Sequence, residues 1–196
     1  GATQKVDERQ IQEGLILIRR LRDFVDNAYI PDVKAVAKAF PSYFNIGRGC
    51  EAFLAYGVFP EDAAGNLLLP RGVLNDWQFE TMDPAIITED VMYSWFSSGS
   101  HLHPSAGETV ASPDKAGAYS WVKAPRYNGQ VMEVGPLARV LVNHAANQNG
   151  ELKALVDGLL AELGRPLTDL ASVMGRHAAR ALECKVITDR VEDWLK

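Results

Sequence analysis

Cysteine is the scarcest chemistry-bearing residue in this sequence, with only Cys50 and Cys184 among 196 residues. They stand far apart and form no Cys-x-x-Cys pair, so neither a zinc site nor a disulfide framework is supported. A single Cys50–Cys184 bridge is one reading. Two free, mostly buried thiols packing as small hydrophobes is the one we expect. Long apolar runs are also missing: nothing approaches the roughly 18 uncharged residues that a spanning helix needs, and charges interrupt the apolar stretches, as at Leu21-Arg22-Asp23. The opening Gly1-Ala2-Thr3-Gln4-Lys5-Val6-Asp7 has no hydrophobic core of the kind a secretory leader carries. Basic residues are outnumbered, 20 against 25 acidic ones, for a net charge of −5. The charges are interspersed, so nucleic acid, which wants a basic patch, is not an expected partner. Internal repeats, low-complexity tracts and linkers are lacking as well, which makes residues 1–196 one unit.

What is present is a well-mixed globular composition with 47% hydrophobic residues. Ile11, Leu15, Ile18, Leu21, Val25 and Ala28 recur at three- and four-residue steps and predict a helix from about Asp7 to Tyr29. Asp7 followed by Gln10 reads as a capping box. Pro31 should break that helix and open a second one, Asp32 to Phe40. Ala52–Pro60 and Leu67–Pro70 read as short strands around a turn at Ala64-Gly65-Asn66. The middle third, Asp83 to Gly129, is rich in Pro, Gly, Ser and aromatics and has little periodicity. Short strands are expected around Tyr119–Val122 and Val131–Val134. Helix returns after Gly135-Pro136 and runs to about Asn147, then again from Glu151 to Leu163. A last helix is expected from Thr168-Asp169 to the end, with Leu170, Met174, His177, Ala181, Cys184, Val191 and Leu195 as its apolar stripe. The fold class is therefore mainly α with small β elements.

Four segments, taken in order, carry a resemblance. They are Phe24-Val25-Asp26-Asn27-Ala28-Tyr29-Ile30-Pro31-Asp32; Leu54-Ala55-Tyr56-Gly57-Val58-Phe59-Pro60; Tyr119-Ser120-Trp121-Val122-Lys123-Ala124-Pro125-Arg126-Tyr127 with Met132-Glu133-Val134-Gly135-Pro136-Leu137-Ala138-Arg139; and Gly175-Arg176-His177-Ala178-Ala179-Arg180-Ala181-Leu182-Glu183. Together they resemble the large subunit of nickel–iron hydrogenases across nearly the whole chain. The resemblance implies a helical-bundle core of the hydrogenase large-subunit type, hydrogen as substrate, a nickel–iron centre and a magnesium ion in the intact subunit, and an iron–sulfur small subunit as partner. It favours a periplasmic or membrane-associated location. The family holds its metal with four cysteines in two Cys-x-x-Cys motifs, near the two ends of a much longer subunit. Neither motif occurs here, and Cys50 and Cys184 match neither. Ala124-Pro125-Arg126 is likewise distinct from the family's Arg-bearing segment above the metal. The chain is thus expected to be an internal fragment, supplying scaffold and outer shell, with no metal bound to it alone and self-association of its uncovered apolar surface expected. A non-catalytic, hydrogenase-like scaffold or assembly module is the alternative.

Individual residues divide by chemistry. The resemblance places the turn His103–Thr109 and Lys123 near the buried magnesium, so Glu108 and Lys123 are candidates for holding its waters and for meeting each other. Arg126, Glu133, Arg139, Arg176, Arg180 and Glu183 are assigned to a structural polar network. Within it, Glu133 suits a helix start, and Arg180 with Glu183, three apart, could pair. His101 and His103 could share a strand face, but nothing supplies a third ligand. His144 is expected at the surface and His177 in the core. No nucleophile-elbow spacing surrounds any serine. Catalytic and metal-ligating residues are therefore expected to be none within this chain.

Overall fold

The computed structural model describes residues 6–97, 99 and 101–195; the first five residues, read above for a leader, lie outside them. Helix α1, Glu8–Phe24, begins at a capping box: Asp7 accepts from the Gln10 backbone N–H, and the Gln10 side chain accepts from that of Asp7. The expected break at Pro31 does not occur. The helix widens into a π-helical turn at Val25–Tyr29 and continues as α2, Ile30–Ala39. Proline lacks an N–H and its ring clashes with the carbonyl four residues back; the wider π turn just before it relieves both demands. α2 stops at Phe40, before the short 3-10 turn Pro41–Phe44.

The three remaining helices form the other side of the bundle. α3 spans Pro136–Ala146 and ends on the left-handed Asn147. α4 spans Gly150–Leu163, capped by the Asn149 side chain and closed by Gly164 at φ 63°. α5 spans Val173–Trp194 and starts later than expected, because Leu167–Leu170 forms a separate 3-10 turn and the Ser172 hydroxyl caps α5 at the Gly175 N–H. Gly175 is required there: a Cβ would overlap the Leu170 carbonyl. The buried face of α5 is Met174, Ala178, Ala179, Ala181, Leu182, Glu183, Val186 and Thr188. His177 is exposed and Cys184 half-buried, so the expected stripe is rotated, the small alanines lying inward where α2, α3 and α4 approach.

One large core joins these helices to a small sheet. Leu141, Val142, Leu152, Val156, Leu170 and Met174 are buried with Phe44, Phe53, Leu68 and Leu69, and each such side chain contributes about 1.5–3 kcal/mol by leaving water. The sheet has order β1-β4-β5, antiparallel, from Phe53–Ala55, Gly72–Asn75 and Gln78–Glu80. The hairpin pair, β2 Val58–Pro60 and β3 Leu67–Leu69, closes at the expected turn. β4 and β5 have no counterpart in the sequence reading; each is only three or four residues, too short to show alternation. The expected strands at 119–122 and 131–134 reduce to single bridges, Ser94 with Ser120 and Phe53 with Glu133. The strand in that region is β7, Ala124–Tyr127, antiparallel to β6, Ile87–Asp90. No helix among the described residues is long and apolar enough to cross a membrane.

Candidate functional site

Two charged pairs tie the turn before α3 to α5. Glu133 is fixed by its own backbone: its N–H donates to the Ala52 carbonyl at 2.7 Å, and its carbonyl accepts from Leu54 at 2.9 Å. Its carboxylate takes two bonds from the Arg176 guanidinium, both 2.7 Å. Arg176 also donates to the Gly47 carbonyl at 2.5 Å, which straps the Gly47–Cys50 loop onto the start of α5. One turn into α3, Arg139 grips Glu183 with two bonds, from Nε and, at 2.9 Å, from Nη2. Bonding to Glu133 and Glu183 raises the pKa of Arg176 and Arg139, burial working against it. Both pairs are two-pronged and partly desolvated, an arrangement that fixes geometry strongly.

The pairing within this set differs from the sequence expectation at Arg180 and at Arg126. Glu183 turns to Arg139 rather than to Arg180, which is exposed. Glu183 is buried against α3, where Arg139 takes up its carboxylate, whereas Arg180, only about 60° round the helix, lies at the exposed edge of that face. Arg126 stays apart from the network: it sits in β7 and donates to the Pro125 carbonyl at 2.8 Å. Beside the two pairs, Leu54, Tyr56, Phe59, Val134, Arg139 and Ile187 line a half-open apolar groove of about 560 Å³.

A second cluster surrounds Lys123. Its ammonium donates to Glu89 at 3.1 Å and to the Thr109 hydroxyl at 3.0 Å, and lies 5.6 Å from the centre of the Phe96 ring. The carboxylate that Lys123 holds is thus Glu89; Glu108 is exposed, one residue from Thr109. Glu89 escaped the sequence reading because it belongs to β6, a four-residue strand recognisable only through its partner β7. Backbone bonds between Glu89, His101 and Leu102 hold the following loop against it.

The histidines do not converge. His101 has φ 67°, and His103 bonds the Ser105 hydroxyl at 2.7 Å within its own turn. His144 is half-buried rather than at the surface, meeting Asp157 at 2.7 Å; His177 is exposed rather than in the core. Both cysteines are free. Cys50 is exposed, against expectation, its thiol donating to the Ala52 carbonyl at 3.4 Å because the Gly47–Cys50 strap runs over the surface. Burial pushes the Cys184 thiol up. Among the described residues no three of His, Cys, Asp and Glu gather as a metal site.

The model of one family, described as nickel-dependent hydrogenase, matches residues 1–196. The chain belongs to that family. It is 39% identical, over its full length, to the large subunit of the periplasmic NiFeSe hydrogenase of Desulfomicrobium baculatum, covering 39% of that protein. It is 35% identical to the uptake hydrogenase large subunit of Rhizobium leguminosarum bv. viciae, with 93% of this chain and 36% of that protein aligned. Among solved structures, the Ni-Fe-Se hydrogenase of Desulfomicrobium baculatum in a reduced, active form superposes on the whole chain with a TM-score of 0.84 at 38% identity, over 41% of its own chain. The reduced enzyme from D. vulgaris Hildenborough gives 0.83 at 36%, over 42%. The expected fold, mainly α with small β elements around a hydrogenase-type bundle, is the one found. The chain spans about two fifths of the length of the hydrogenase relatives it matches.

Proposed function

We propose that these residues are the central segment of the large, catalytic subunit of a nickel–iron hydrogenase, which interconverts hydrogen with two protons and two electrons. The observation that carries this reading is the match along the whole chain, by family and by superposition at 36% identity. The partner is a small subunit bearing iron–sulfur clusters that take the electrons. A periplasmic location accords with the name of the Desulfomicrobium relative, and a membrane-facing one with the quinone reactivity named for the Wolinella succinogenes relative, quinones being lipid-soluble.

The residues described here do not fit the metal centre. Nickel in such a site needs deprotonated, soft thiolates. The two thiols of this chain are engaged elsewhere, Cys50 on a surface strap and Cys184 in a helix where burial keeps it protonated. In our reading the role of this segment is mechanical. Arg139–Glu183 and Arg176–Glu133 lock the turn at Gly135 to α5, and Glu89, Thr109 and Lys123 form a polar cluster suited to ordering the water around a magnesium ion, with Glu108 at its edge.

The test begins with the reading frame on both sides of these residues, where a Cys-x-x-Cys motif is expected in each flank. The full-length subunit, produced with its partner and maturation machinery, should then hold about one nickel per chain and reduce an artificial dye with hydrogen. Residues 1–196 alone should hold no stoichiometric nickel or iron. Absence of both motifs, with no hydrogen uptake, would replace this reading with a metal-free scaffold or assembly module.

A further inference from the structure

We draw no further inference here: the strongest candidate, the half-open apolar groove between β1, β2 and the turn before α3, lined in part by Arg139, carries nothing, because Arg139 is already paired with Glu183 and nothing in the structure shows what covers the apolar lining.

Discussion

The helical bundle and the irregular lobe between Ile87 and Tyr127 are ordered by different forces. In the bundle, α3 contributes Leu137, Ala138, Val140, Leu141 and Val142 to a core that is almost wholly removed from water. The lobe has little apolar interior. Among the described residues its buried neighbours are Leu54, Val73, Met82 and Tyr127, with Ile86, Ile87 and Met132 packed on them and Val91 buried within the lobe, while Tyr93, Tyr119 and Trp121 remain 57%, 74% and 51% exposed. Polar ties to the backbone hold the lobe instead: Lys115 donates to the Val91 and Phe96 carbonyls at 2.7 and 2.9 Å, and Ser94 donates to the Val122 carbonyl at 2.5 Å. Packed regions unfold together with the whole protein, whereas regions held by partly exposed hydrogen bonds open on their own.

That contrast is broken most directly in the bundle. Leu141→Ala should cost about 3–4 kcal/mol, since the site is fully enclosed and close packing limits collapse around the cavity. Urea unfolding should show a lower midpoint with an unchanged slope. A loss below about 1 kcal/mol would mean the bundle is far looser than its burial implies. Next in size is Glu183→Gln, which leaves the half-buried Arg139 charge facing an amide. Breaking a fully buried pair costs about 3–5 kcal/mol, and partial solvent access to Arg139 reduces this to about 2. Replacing both residues with methionine should cost less than the single change, because no charge is then stranded.

The same division explains what could be read from the sequence. α3 and α4 were legible to within a residue or two because Pro136, Asn149 and Gly164 punctuate an unbroken apolar periodicity. Pro31 misled because the rule against proline inside a helix says nothing of a π turn placed ahead of it. On α5 the periodicity picked the wrong flank: alanines, weak hydrophobic signals, face the tightest contacts, and His177 faces outward. The polar residues Glu133, Arg139, Arg176 and Glu183 were recognisable as a set, but who pairs with whom depends on rotation about α5, which periodicity had misjudged. Glu89 was invisible for another reason. Its partner Lys123 is 34 positions away, joined through a strand pair with no alternating pattern.

A smaller effect sharpens the comparison from the side of the lobe. Lys115→Met removes the donor shared by two carbonyls and should cost about 1–2 kcal/mol. The loss should be local. Amide exchange should speed up at Phe96, Ser97 and Tyr119 while Ala138–Val142 keep their protection. Equal acceleration in α3 would show that lobe and bundle unfold as one unit, and the contrast would fall.

The smallest effect lies on the bundle surface, where α2 and α4 are joined through one carboxylate. Glu162 takes the Lys34 and Lys38 ammoniums at 2.7 Å each, and these bonds hold its pKa down at about 2 from an ordinary 4.5. A carboxyl with a lowered folded-state pKa binds fewer protons folded than unfolded, so its contribution is complete above the unfolded value. It should shrink as pH falls from about 4.5 and be gone below about 2. The site is open to solvent, so salt should weaken it further. Comparing the parent protein with Glu162→Gln by thermal unfolding should therefore show a small deficit at pH 6 that closes on acidification and narrows in high salt. A deficit that persists unchanged at pH 2 would mean the glutamine disturbs α4 sterically and the charge contributes nothing. The α2–α4 junction would then depend on packing alone, like the rest of the bundle.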